Sequence, residues 1–210
     1  MLFRSHLIQV DEGCSKLLHK VTDGQMLFLD NNILFSLVGL HGDYLLKSVH
    51  RILDFANRLG YRLMVTEKTI EEFQESLRHN IDDIKPIPQH LAKMAIENLE
   101  TDNFISCYWK EFVNNGIGIQ DFVTEKSHLE NIMEGLNIKI TNEFRDEIEM
   151  SNELKEEESI LHSMVPSTDR HIINHDAFHR VLINKIRDGE KYNFSNSKAW
   201  FLTHDKKLPK

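Results

Sequence analysis

Four carboxylates sit at positions from which a chain of this length could bring them to one point. Asp30 follows the apolar run Met26–Leu29 and precedes two asparagines, in the stretch MLFLDNNILF. Glu72 lies in EKTIEEF, just after YRLMVT. Asp176 lies inside IINHDAFHRVLINKI, and Asp205 comes two residues after AWFLT ends at Thr203. A carboxylate at the end of a buried strand is costly unless something compensates it. Several carboxylates crowded together repel one another and raise their pKa values, and a divalent cation removes that penalty. An oxygen-only donor set suits Mg²⁺ or Mn²⁺. A metal held by such a centre orients and acidifies a water and stabilises negative charge that builds on a bound substrate.

The elements around the acids predict how they are positioned. MLFL reads as a short buried strand, and NILFSLVGL as the start of a helix. The segment YLLKSVHRILDFANRLG reads as a second helix that stops at Gly60. YRLMVT is the next strand and EKTIEEFQESLRHN the next helix. NIKI (Asn137 to Ile140) is a third strand, an acidic helix is expected from about Asn142 to His162, and Pro166 ends it. STDRHIINHDAFHRVLINKIRDG is a helix with Ser167 or Thr168 as its N-cap and Gly189 beyond its end. KAWFLT is the last strand. Strands alternating with helices predict an α/β fold with a mainly parallel sheet. The carboxyl ends of parallel strands are where ligands bind. Asp30 and Asp205 fall at such ends, Glu72 in the first turns of the helix after the second strand and Asp176 inside a helix, so all four could converge on one edge of the sheet.

Residues 80–134 break this alternation. After IKPIP come three helical segments, QHLAKMAIENLE, DNFISCYWKEFVNN and DFVTEKSHLENIMEGL, joined by polar turns and the Gly116–Gly118 loop. The expected organisation is therefore a core in two parts, 1–79 and 135–210, with a helical insertion at 80–134. A final strand is missing from the expected core. The aromatics Phe104, Tyr108, Trp109 and Phe112 of the insertion are expected to pack in a core, with a partner surface as the alternative.

Each acid also has a plainer role open to it. Asp30 could cap the helix that starts near Asn31, and Glu72 could close a capping box with Thr69. Asp176 could be a solvated helix residue and Asp205 a turn residue. Geometry argues for Asp176, since the stripe Ile172, Asp176, His179, Ile183, Ile186 is largely apolar. Glu71 competes with Glu72, and Asp169 with Asp176. His175 and His179 flank Asp176 and are expected on the helix surface or in the core, with a place in the site as the alternative.

Composition limits the function classes. The chain has 210 residues, 40% of them hydrophobic and 28% charged, which is ordinary for one soluble domain. It has no apolar run long enough to span a membrane and no signal-peptide pattern at MLFRSHLIQVDEG, so a cytoplasmic location and no membrane partner are expected. Cys14 and Cys107 form no CxxC pattern, and the twelve histidines do not repeat at HxxxH or Cys/His ligand spacing around a second cluster. The net charge of −8 argues against a generic nucleic-acid coat. Yet Thr141 to Ile160 holds eight acidic and two basic residues, so one segment carries most of that charge. No GxxxxGK[ST] or GxGxxG occurs, which sets aside a phosphate-cradling NTPase. The pairs His175-Asp176 and His204-Asp205 prompt an HD-type phosphohydrolase, but that chemistry needs an all-helical scaffold and the strands before Asp30 and Asp205 oppose it.

The order FLDNN, VTEKTIEEF, NHDAFH, FLTHD resembles the PIN domain, a metal-dependent nuclease fold, and in particular larger bacterial PIN-like proteins with a helical insertion. The resemblance covers most of the chain but not residues 80–134. Asn31 stands where that family commonly has Thr or Ser. The resemblance implies a three-layer α/β/α fold and a Mg²⁺ or Mn²⁺ site in which Asp30, Asp176 and Asp205 form the central ligand set and Glu72 holds a second ion or positions water. It further implies that Asn32 and Thr203 orient carboxylates and that the substrate is RNA more than DNA. A homo-oligomer is implied in the same way. Lys206 and Lys207 directly follow Asp205, which offers them either to a solvated turn or to substrate phosphate. The rival expectation is a catalytically inactive PIN-like module that binds nucleic acid or protein.

Overall fold

The computed structural model describes residues 12–82, 84, 88–96, 103–188 and 197–204. In chain order the elements are α1 (Glu12–Thr22), β1 (Met26–Leu29), α2 (Asn31–Leu37), α3 (Gly42–Arg58), β2 (Arg62–Thr66) and α4 (Glu67–Asp82). They continue with α5 (Gln89–Ile96), α6 (Phe104–Asn115), α7 (Ile119–Ser127), α8 (Glu130–Gly135), β3 (Lys139–Thr141), α9 (Arg145–Glu149), α10 (Asn152–Met164), α11 (Arg170–Arg187) and β4 (Ala199–Leu202). The fold is mixed α/β with a four-stranded, all-parallel sheet in the order β3-β2-β1-β4. Met26 lies opposite Arg62 on one side and Ala199 on the other. Among the described residues no helix is long and apolar enough to cross a membrane.

Alternation along the central strands divides the core. Leu29, Leu63 and Val65 enter one hydrophobic cluster with Ile33 and Leu34 of α2, Val49 and Leu53 of α3, and Phe73 and Leu77 of α4. Phe28 and Ala199 enter another, with Leu154 and Leu161 of α10 and Ala177, Phe178 and Leu182 of α11. Strand side chains alternate faces, so a sheet buried on both sides needs near-continuous apolar runs. MLFL and RLMVT supply them.

The segment 80–134 shares the first of these clusters. Phe104, Tyr108 and Trp109 of α6 and Phe122 of α7 are buried with the strand residues Leu29 and Leu63. Their rings pack edge-on, Phe104 against Phe122 at 5.7 Å and Tyr108 against Phe122 at 5.6 Å. These aromatics pack in the core, as expected.

Several boundaries differ from the sequence expectation. The acidic helix is two helices, because Ser151 accepts a hydrogen bond from the Leu154 backbone N–H and starts α10 afresh. DFVTEKSHLENIMEGL likewise breaks at His128 into α7 and α8. The N-cap of α11 is Asp169, not Ser167 or Thr168, since its carboxylate takes the His171 N–H at 2.9 Å. Gly189 lies outside the described residues. Gly60 ends α3 for a steric reason: its φ is +85°, and a Cβ there would lie 2.8 Å from Asp23 Oδ1.

Phe73 has no exposed surface and packs edge-on against Phe35 at 5.1 Å, joining α4 to α2. Phe73→Ala is expected to cost about 3–5 kcal/mol in urea unfolding. A loss below about 1 kcal/mol would show that α4 is not held by this contact.

Candidate functional site

β1 ends at Leu29 and the chain turns at once into α2, with Asp30 as the N-cap residue. Asp30 is only 6% exposed. Its Oδ1 accepts from the Asn31 backbone N–H at 2.7 Å. Its Oδ2 accepts from Asn32 Nδ2 at 2.6 Å and from the Thr203 hydroxyl at 2.5 Å. Asn32 Nδ2 also reaches Thr203 Oγ1 at 2.9 Å, and Asn32 Oδ1 accepts from the His204 N–H at 3.0 Å. The plain capping role and the junction role therefore coexist in one residue. Burial pushes the Asp30 carboxyl up to about 6, against the Thr203 hydrogen bond, the charge of His175 and the Asn31 N–H, which pull it down.

Glu72 enters from α4. The expected capping box with Thr69 does not form, because α4 begins at Glu67 and the Thr66 hydroxyl takes the Thr69 N–H at 3.1 Å. That leaves the Glu72 carboxylate free to turn toward α11. Its Oε2 is buried, makes no hydrogen bond, and lies 2.7 Å from His175 Nε2 as an ion pair. Glu71 points elsewhere. Arg145 of α9 donates to both of its oxygens at 2.8 Å, and these bonds hold its carboxyl below the usual range.

Asp176 and His175 come from α11. Asp176 Oδ1 lies 3.7 Å from His175 Nδ1. Burial is the largest influence on His175 and pulls its pKa down. The carboxylates of Asp176, Glu72 and Asp30 outweigh it and raise the group to about 9. At neutral pH the cleft thus holds a buried imidazolium among three acids. One turn on, His179 is fully buried, and burial followed by the His175 charge drives its pKa well down. Its Nδ1 lies 2.9 Å from the His175 carbonyl, which can only accept, so the proton sits on Nδ1 and Nε2 is an acceptor. Thr66 and Thr69 hydroxyls meet that Nε2 at 2.9 and 3.1 Å, and Thr69 Oγ1 lies 3.4 Å from His175 Nε2. The two hydroxyls thus join β2 and α4 to α11 beneath the acids.

Asp30, Glu72 and Asp176 line one cleft of about 530 Å³ at the carboxyl ends of β1 and β4, with Asn32, His175 and Asp169 beside them. Among the described residues no three histidine, cysteine, aspartate or glutamate side chains stand close enough to grip one ion as they lie. Asp205, Lys206 and Lys207 lie outside the described residues. Two groups in the cleft are costly as they lie: the Asp30 carboxyl is buried and raised above its ordinary pKa, and the buried Glu72 Oε2 has the His175 ring as its charged neighbour. Sequence reasoning held a place in the site open for His175 only as the alternative, read Thr69 as a capping-box partner of Glu72, and did not single out Thr66 or Arg145. The usable signals were His175 and His179 one turn apart on α11 and Thr66 and Thr69 three apart at a strand–helix junction.

Comparison with family models, with curated proteins and with solved structures finds no match. What the chain does must therefore be argued from the cleft itself.

His175 has a folded pKa near 9 against an ordinary 6.5. A raised histidine adds stability that is complete below the unfolded pKa and disappears as pH rises through the folded value. The melting temperature of the metal-free protein is therefore expected to fall between pH 6.5 and 9, and His175→Gln is expected to flatten that fall. An unchanged profile in the variant would show that His175 is not the cation of the cleft.

Proposed function

We propose that the protein is a divalent-metal-dependent nuclease with a three-layer, PIN-like α/β/α fold, hydrolysing phosphodiester bonds, of RNA in preference to DNA. The observation that carries this reading is that Asp30, Glu72 and Asp176, remote in sequence, line one cleft at the carboxyl ends of parallel strands. A hard dication suits that donor set, and Asp205, two residues beyond a threonine bonded to Asp30, would complete it. Glu72 and Asp176, which lie against His175, would hold the ion together with Asp30. A bound Mg²⁺ or Mn²⁺ would supply a Lewis acid for the phosphoryl oxygens and an acidified water.

The remaining roles belong to the chain. Asn32 and Thr203 fix the Asp30 carboxylate by hydrogen bonds to Oδ2, so its oxygens do not reorient as charge changes. His175 sits against Glu72 and supplies the positive charge that offsets the acids when no metal is bound. Thr66, Thr69 and His179 hold the His175 backbone and ring in place from below. Lys206 and Lys207 are assigned to substrate phosphate.

Cleavage of labelled single-stranded RNA and matching DNA in Mn²⁺, Mg²⁺ and EDTA tests this reading. Wild type is expected to cut in metal and not in EDTA. Asp30→Asn and Asp176→Asn are expected to lose at least about 10²-fold in rate, the scale of removing one such electrostatic group. Mn²⁺ is also expected to raise the melting temperature of wild type but not of Asp176→Asn. A folded wild type that neither cuts in any metal nor gains stability from Mn²⁺ would overturn the reading in favour of a non-catalytic binding module.

A further inference from the structure

A second groove, of about 550 Å³, adjoins the acidic cleft and shares His171 with it. α10 contributes Lys155, Ser159 and His162, and α11 contributes Arg170, His171 and Asn174. Lys155, Ser159 and His162 are spaced i, i+4, i+7 and so lie on one face of α10. The acids Glu153, Glu156 and Glu157 line a different groove, shared with Val181 and Lys185 of α11. α10 thus sorts its charges, with three of its four acids in one groove and its lysine in the groove toward the start of α11. The one carboxylate in the groove, Glu158, is hydrogen-bonded by Asn174. Lys155 and Arg170 are exposed, and neither pairs with a carboxylate among the described residues.

A polynucleotide carries a phosphate on every nucleotide. If one phosphate lies in the acidic cleft, its neighbours must lie outside it, where uncompensated acids would repel them. Cations in a groove continuous with the cleft are placed to receive them. We propose that Lys155 and Arg170 form a subsite for a backbone phosphate flanking the scissile one, while His171, at the edge shared with the acidic cleft, is taken up by Glu75 at 3.1 Å. The substrate class is then a polynucleotide strand several nucleotides long, not a mononucleotide or a cyclic dinucleotide. This inference rests on the nuclease reading of the adjoining cleft.

The test reads binding separately from cutting. A fluorescein-labelled single-stranded RNA of roughly 12 nucleotides, within the usual site sizes for single strands, is titrated by anisotropy in EDTA over a range of salt. Lys155→Ala/Arg170→Ala is compared with wild type and with Lys47→Ala/Arg51→Ala, an equal change of charge at exposed positions of α3. The subsite variant is expected to bind roughly tenfold more weakly at low salt. Its log–log salt slope should be shallower by about 0.7, one phosphate contact's worth. The α3 variant should match wild type. Equal affinity and slope in all three proteins would overturn the subsite, as would wild type failing to bind; an equal loss in both variants would reduce it to net charge. In Mn²⁺, metal-dependent cutting with no binding difference would sink the subsite alone. A binding difference without any cutting would sink the nuclease reading and leave a nucleic-acid groove.

Discussion

The Asp30 carboxylate is the point on which the site turns. Its two oxygens take one backbone N–H, one amide and one hydroxyl, and each bond does a different structural job. The Asn31 bond starts α2. The Thr203 and Asn32 bonds tie the end of β1 to the chain leaving β4, more than 170 residues away in sequence. Three donors normally hold a carboxyl low, yet here burial wins and the group is raised to about 6. A carboxylate that stays expensive after its hydrogen bonds are satisfied calls for positive charge nearby. His175 provides one such charge, pressed against Glu72 and beside Asp176.

The place of the cleft follows from the strand order. From β1 the sheet grows through β2 to β3 on one side, and then the chain returns to place β4 on the other side of β1. Loops leaving neighbouring strands diverge at such a reversal and leave a crevice at their carboxyl ends. α4 packs against one face of the sheet and α11 against the other. Glu72 and Asp176 therefore reach the crevice from opposite sides, and Asp30 rises from its floor. The Thr66–Thr69–His179 network closes the seam between those two helices, which fixes the separation of the acids they carry.

The strands and three of the acids were legible in the sequence because both signals are local. A four-residue apolar run followed by a carboxylate can be read without knowing what packs on it, and so can an acid in an apolar helical stripe. Other features depend on distant partners. His175 has the same helical spacing as a core residue, and only the approach of Glu72 from α4 makes it a cation. Thr69 looked like the start of a capping box until β2 ran straight into α4 and gave Thr66 that position. Ser151 splits the acidic segment, but a serine in a polar run carries little signal by itself. The aromatics of α6 and α7 join the sheet's own core, and no local pattern says which core an aromatic will enter.

The pair Glu71 and Glu72 shows how finely position decides function here. Adjacent residues on a helix point about 100° apart. Glu71 meets Arg145 and becomes one arm of an ion pair at the surface, its carboxyl held low. Glu72 faces α11, and its buried oxygen has His175 as its charged neighbour. The two side chains have the same chemistry, and only the field each one meets differs. Charge on α10 obeys the same logic. The helix adds heavily to a net charge of −8 that argues against a generic nucleic-acid coat. Yet three of its four acids line one groove, while Lys155 lines another beside Arg170, with Glu158 held there by Asn174. A polyanion within a Debye length of roughly 8–10 Å responds to that local face more than to the sum over the chain. Net charge and residue type therefore bound what this protein can do, and the facing of individual side chains decides it.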